Sequence, residues 1–351
     1  MKKKRVIGGV ILVIVGLALV FGWKHAMAYM NGVKATANSK TERIAIDAGL
    51  SVQQITKLLN EKGIVSKPEA FLELAEYKGL NTKKFEPGMY EIPASTSYRS
   101  LVNGLSSGNM EVEVNVTFNN CKTIGDLAGK VSHELMIDSA ELASYIVDSK
   151  TLEKYDFTEQ TISAMFLPNT YKMYYDTDKD KFVERMAEEF KKFWTPERKA
   201  KLKKVGLKSP SQASTLASIV YGEQSVNASE WPIIARLYLN RLNTGMRLQS
   251  DPTFKFCWED QLEGVQRLTF EHRSIDCPYN TYLYAGLPPG PISMPPTQVI
   301  DAVLNPDDND YLYMCAQPNY DSKHNFTKDY GQHAKNAAEF QNWLANELKN
   351  Q

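Results

Sequence analysis

The sequence predicts an α+β protein, with a small strand-and-helix module near the N-terminus and a larger mixed domain behind it. Three observations carry this reading. No charged side chain occurs between Val6 and Trp23; short strands and capped helices alternate from Ile44 onward; and two strongly apolar helices begin near Ser209 and Ser229. At 351 residues the chain can form two or three domains with sizeable cores. Its 41 basic and 41 acidic residues cancel, so no nucleic-acid partner is expected. The four cysteines form no CxxC pair and the five histidines no HExxH motif, so a metal enzyme is not expected.

Residues 1–5 are a basic tail, containing Lys2, Lys3, Lys4 and Arg5. The run 6–23 is about long enough to span a bilayer. With the basic cluster held in the cytoplasm, it predicts a single-pass anchor in the cytoplasmic membrane and a body outside it. A cleaved signal peptide is the competing reading, because Ala26, Met27 and Ala28 resemble a cleavage site. In an oxidising compartment Cys257 and Cys277 could pair, or all four thiols could stay free and buried. Residues 24–41 read as a polar linker.

The segment 42–108 should open with a strand at Ile44–Ile46. Ser51 with Gln54 begins a helix that Gly63 ends, and Ser66 with Glu69 begins another that Gly79 ends. A strand from Gly88 to Ile92 follows, then a helix holding Leu101, Val102 and Leu105. This βααβ order resembles a LysM module, a family that binds the glycan backbone of peptidoglycan or chitin. A second small βαα unit is expected over 109–150. Its strand holds Val112, Val114 and Val116, its first helix starts at Thr123, and its second starts at Ser139 with Leu142.

The remaining domain, 151–351, begins with an aromatic-rich stretch from Phe166 to Tyr175. One long charged amphipathic helix is expected from Asp180 to Lys204, with Phe182, Met186, Phe190 and Phe193 on its inner side. The next helix is capped by Ser209, Pro210 and Gln212 and carries Ala213, Leu216, Ala217, Ile219 and Val220 on one stripe. Glu223 lies seven residues after Leu216 and four after Ile219, where a hydrophobe would continue that stripe. Desolvation there would raise its pKa and keep it protonated near neutral pH, which suits a general acid. If the helix ends at Gly222, Glu223 is instead an ordinary solvated residue. Gly222 itself could let a ligand approach the backbone.

Ser229 should cap a further helix with Ile233, Ile234, Leu237, Tyr238, Arg241 and Leu242 inside it and Gly245 beyond it. Gln249, Ser250, Asp251 and Thr253 then crowd hydrogen-bonding side chains around Pro252. Such a cluster fits a capped turn or a sugar-binding loop. The segments Leu216–Val220 with Glu223, Asn240–Leu242, Met246–Thr253, Tyr279–Tyr282, Gly286–Ile292 and Tyr311–Tyr313, with His324, Phe326 and Thr327, resemble the YceG-like, or MltG, family of endolytic murein transglycosylases.

That resemblance implies a membrane-anchored enzyme that cuts peptidoglycan strands internally, between N-acetylmuramic acid and N-acetylglucosamine, leaving a 1,6-anhydromuramoyl end. It places the family's catalytic glutamate on Glu223. A single carboxyl would act first as acid and then as base on the substrate's own C6 hydroxyl, so the resemblance implies that neither a second carboxylate nor a metal or organic cofactor is required. Gln249, Ser250, Thr253, Asn280 and Thr281 are the expected sugar contacts. Tyr282 is expected to stack or hydrogen-bond there, and Asp251 to tie down the loop's backbone amides. His324 reads as a satisfied structural histidine. Peptidoglycan synthases or division proteins are the partners such an enzyme would accompany. The chain departs from the family pattern at Tyr221, where many relatives carry an acid, at Asn119–Cys121, which replaces Pro-Glu-Gly, and at Ala164–Met165, which replaces Glu-Gly. These departures leave a second reading open, a peptidoglycan-binding scaffold with weak or no turnover.

Overall fold

The computed structural model describes residues 14–24, 26, 40–80, 85–262, 265 and 269–350. The chain divides into two compact units, the first made of the described residues in 1–116, 134–136 and 172–177 and the second of those in 117–133, 137–171 and 178–351. Residues 109–150, expected as a unit of their own, are distributed over both.

The first unit holds a helix over 14–24 (α1), β1 (Glu42–Ile46), α2 (Val52–Glu61), α3 (Pro68–Tyr77), β2 (Gly88–Ile92) and α4 (Tyr98–Ser107). The expected span 6–23 begins outside the described residues, and among the described residues no helix is long and apolar enough to cross a membrane. β1 and β2 pair antiparallel with Ile44 opposite Tyr90, and α2 and α3 lie between them in sequence, which gives the expected βααβ order. Ser51 and Gln54 form the reciprocal cap on α2 that their spacing predicts. The cap of α3 is Lys67, one residue later than expected. Pro68 fixes the first helical turn, and the Lys67 N–H donates to the Tyr98 hydroxyl at 2.8 Å. Ile44, Ile46, Ile55, Leu59, Phe71 and Tyr90 close the core.

The second unit holds the ends of β3 (Val114–Phe118) and β4 (Asn169–Met173), which pair with each other, and α5 (Ile124–Glu134), α6 (Ser139–Ile146) and α7 (Ser149–Tyr155). Asp138, not Ser139, caps α6, because its carboxylate reaches the Glu141 N–H at 2.9 Å. The single helix expected from Asp180 to Lys204 is two, α8 (Lys179–Phe193) and α9 (Pro196–Lys204). Thr195 caps α9 and Pro196 occupies its first turn, a start signal inside the amphipathic pattern that periodicity alone overlooks. Arg198 then clamps α9 to α14 (Thr297–Leu304) through two hydrogen bonds to Asp301, at 2.8 and 2.9 Å.

α10 (Pro210–Glu223) is the core element of this unit: every residue from Ala213 to Val220 is buried. It packs on α14 and on α11 (Trp231–Asn243). Ser229 does not cap α11. It sits in a short 3-10 turn, Glu230 is the cap position, and Pro232 stands in the first turn of the helix. The unit is completed by α12 (Asp251–Cys257), a one-turn α13 (Phe270–Arg273), the hairpin β5 (Tyr313–Ala316) and β6 (His324–Thr327), and α15 (Tyr330–Asn350). Buried Arg241 donates to the carbonyls of Leu312 and Leu248, both at 2.6 Å, and Asn240 donates to those of Asn309 and Tyr311. The Asn-Arg pair thus fastens the hairpin and the 246–250 loop to α11.

The proline-rich loop 286–292 is fixed by the Ile292 N–H, which donates to the Ser218 hydroxyl on α10 at 3.0 Å. A Cβ at Gly290 would lie 1.8 Å from the Gln160 carbonyl oxygen, so no larger residue fits. Gly290→Ala is therefore expected to destabilise the protein by roughly 1–3 kcal/mol or more, measured as a lower midpoint in urea unfolding. An unchanged midpoint would contradict the packing described.

Candidate active site

α10 continues through Gly222, so Glu223 is its last residue and not a solvated residue beyond it. The chain turns out at Gln224, which is extended and gives its N–H to the Val220 carbonyl at 3.0 Å. Gly222 does not open the backbone to a ligand. A Cβ there would meet Pro252 at 2.8 Å, so its bareness lets the start of α12 pack against the end of α10. That close approach brings Ser250 to Glu223.

Two hydroxyls converge on one carboxylate oxygen. Tyr238, on the buried face of α11, donates to Glu223 Oε1 at 2.6 Å, and Ser250 donates to the same atom at 2.5 Å. Among the described residues no group hydrogen-bonds Oε2. Glu223 is half-buried, and partial loss of solvent holds its pKa above the ordinary value. The Ser250 and Tyr238 hydrogen bonds pull in the opposite direction, the nearby charge of Asp251 adds to the rise, and His324 offsets part of it. Burial and the neighbouring Glu223 in turn raise the Tyr238 phenol well above its ordinary value, so it remains a donor. With Oε1 occupied by donors, the proton of the neutral acid belongs on Oε2.

The other expected site residues take different parts. Ser250, Thr253, Asn280 and Thr281 are buried and bonded among themselves or to the backbone. The Thr281 hydroxyl accepts the Ser250 N–H at 3.0 Å and shares a hydrogen bond with Thr253 at 2.8 Å, and Thr253 donates to the Ser250 carbonyl at 2.6 Å. Asn280 donates to the carbonyls of Arg273 and Ile275. Thr253 and Thr281 hold Ser250 in place, and Asn280 ties down the 273–275 turn. Gln249 is exposed and takes a left-handed conformation, φ 49°, that turns the chain into the loop. Asp251 does not tie down backbone amides. It accepts from the Tyr282 hydroxyl at 2.5 Å and from Arg273 at 3.3 Å. Tyr282 also packs edge-on against Phe254. A disulfide joins Cys257 at the end of α12 to Cys277, just ahead of Asn280.

Glu223 lines a cleft of about 380 Å³ bounded by Gln224–Val226, the 316–324 end of the β5–β6 hairpin and Phe340 of α15. None of the other seven expected site residues lines it. His324, read from sequence as structural, does. The sequence reading also missed Tyr238, taken as core because of its place on the apolar stripe, together with Gln224 and Glu230. Tyr221 donates to Asn120 at 3.1 Å, so two departures from the family pattern satisfy one another.

Fold and site together define an α+β protein organised around one carboxylic acid able to give and take a proton. The profile of the YceG-like family matches residues 44–339, and the chain belongs to that family. It is 26% identical over 337 residues to the endolytic murein transglycosylase of Bacillus subtilis (strain 168), a match covering 92% of this chain and 89% of that one. A protein of the same name from Streptococcus pneumoniae serotype 2 is 25% identical over 352 residues, covering 92% of this chain but 62% of the pneumococcal protein. In fold the chain is similar to the crystal structure of a YceG-like protein from Listeria monocytogenes, with TM-score 0.57 and 24% identity over 85% of this chain and 99% of that one.

The raised pKa of Glu223 has a consequence for stability. A glutamate that holds its proton more tightly in the folded than in the unfolded chain stabilises the fold fully below the ordinary value, and that contribution is lost as pH rises through the raised value. Glu223→Gln cannot ionise and keeps an oxygen for Tyr238 and Ser250. Its stability relative to wild type is expected to improve as pH rises above the ordinary glutamate value, by about 1.4 kcal/mol for each tenfold difference in proton affinity. Urea unfolding of both proteins across this range reads the difference, and a gap independent of pH would contradict it.

Proposed function

We propose that this chain is an endolytic murein transglycosylase, cleaving the bond between N-acetylmuramic acid and N-acetylglucosamine within nascent peptidoglycan strands. The observation that carries the reading is Glu223, a carboxyl of raised pKa at the end of a largely buried helix, with two hydroxyl donors on Oε1 and, among the described residues, no hydrogen-bond partner on Oε2. Oε2 protonates the glycosidic oxygen as the bond breaks. The resulting carboxylate, steadied by Tyr238 and Ser250, takes the proton from the substrate's C6 hydroxyl, whose oxygen closes on C1. The product is a 1,6-anhydromuramoyl end, and Glu223 regains its proton.

No metal and no organic cofactor enters this sequence of steps. Thr253 and Thr281 serve it by positioning Ser250, Asn280 by bracing the turn ahead of Thr281, while Gln249 has the exposed side chain suited to direct sugar contact. Asp251 and Tyr282 brace the loop. The β1–α2–α3–β2 module serves as a LysM-like glycan-binding unit. The charge-free run 6–23 acts as a single-pass anchor in the cytoplasmic membrane, with the catalytic domain outside, where peptidoglycan synthases or division proteins would be its partners. Terminating glycan elongation and remodelling the wall are the roles this chemistry suits. The alternative, a scaffold that binds glycan without cutting it, draws on the mutual bond of Tyr221 and Asn120, which stand where the family pattern has acids.

Mass spectrometry of products from uncrosslinked glycan strands separates the two. The wild type is expected to release internal fragments ending in anhydromuramic acid, and Glu223→Gln to lose this activity by roughly 10²–10⁴-fold while still binding strands. Products heavier by one water would identify a hydrolase instead. Strands left intact by the wild type would leave only the scaffold.

A further inference from the structure

We propose that His324 contacts the substrate directly: Glu230 fixes its imidazole so that Nε2 accepts a hydrogen bond from the sugar beside Glu223, from a hydroxyl or an acetamido N–H. This rests on the glycan-cleaving reading above and adds a second polar contact to it. Glu230, only 6% exposed, accepts the His324 backbone N–H at Oε1 (2.9 Å). Its Oε2 meets His324 Nδ1 at 2.7 Å and the Gln224 amide at 2.9 Å. With Glu230 accepting at Oε2, Nδ1 is the donor, and in that tautomer the acceptor of the imidazole is Nε2.

The backbone bond alone would pin the hairpin to Glu230, and the bond to the ring adds orientation. The layer behind the ring is fixed as well. Gln224 donates to the Ser322 carbonyl at 2.8 Å, accepts the N–H groups of Val226 and Asn227, and receives the Trp231 indole N–H on its own carbonyl at 2.7 Å. The end of α10, the turn before α11 and the hairpin therefore converge on one imidazole. That imidazole lines the same cleft as Glu223, with its side chain 15% exposed, and among the described residues no group hydrogen-bonds Nε2.

Asparagine and glutamine separate the two ring nitrogens, since an Asn amide can stand in for Nδ1 and a Gln amide for Nε2. His324→Asn keeps a donor for Glu230 and removes the acceptor in the cleft. Its kcat/KM on glycan strands is expected to fall about tenfold or more, with an unchanged unfolding midpoint and with His324→Gln recovering part of the loss. Wild-type kcat/KM in a folded His324→Asn would overturn the proposal. Should that variant not fold, Glu223→Gln protein with ¹⁵N-labelled imidazoles decides the matter. Adding glycan strands is expected to shift the His324 Nε2 resonance, and an unmoved resonance under saturating strands would overturn the proposal. Because this spectrum reads binding and not cleavage, a wild type that fails to cut strands would remove the proposed activity without deciding the contact.

Discussion

The structure of the second unit depends on holding one carboxyl group out of water without leaving it unpaired. A desolvated carboxylate with no partner is costly, and a fully compensated one would be an ordinary anion of low pKa. Glu223 lies between these limits. Tyr238 and Ser250 both address Oε1, which is enough to orient the group, while burial keeps its pKa raised in spite of them. The asymmetry leaves Oε2 as the atom from which a proton can leave and to which one can return.

The surrounding fold follows from that requirement. Tyr238 reaches Glu223 because α11 packs along α10, and α10 is buried from Ala213 to Val220, where its small and apolar residues let α11 and α14 pack on it. Ser250 reaches Glu223 because Gly222 has no Cβ to hold Pro252 away, because Gln249 turns the loop, and because Thr253 and Thr281 brace it. Arg241 fastens the same loop to the hairpin that walls the cleft. Many of the residues by which the chain resembles its family thus position an acid, and few of them line the cleft.

This explains which features were legible in the sequence. Glu223 was visible because a carboxyl at helical spacing on an apolar stripe conflicts with its surroundings, and caps such as Ser51 with Gln54 are local signals read over a few residues. The polar cluster from Gln249 to Thr253 was visible too, but its direction was not, since side chains satisfied inside a loop and side chains offered to a ligand have the same composition. Tyr238 read as core because it is core; only the fold shows that its hydroxyl meets Glu223. His324 and Glu230 are 94 residues apart in the chain, and no local pattern announces their pairing. The break at Thr195–Pro196 was legible from the cap and the proline, and was overridden by a periodicity that runs across it.

The central claim is that Glu223 holds its proton more tightly than an ordinary glutamate. The most direct measurement is a pH titration of the ¹³C-labelled glutamate carboxyls by NMR, with the Glu223 resonance assigned by its absence from Glu223→Gln. The account predicts a midpoint above the ordinary glutamate value of 4.5, rising further when Tyr238 is replaced by Phe and one donor is withdrawn. A midpoint at or below that value would mean that the two hydroxyls outweigh burial, and that the carboxyl is an anion when the cleft is empty.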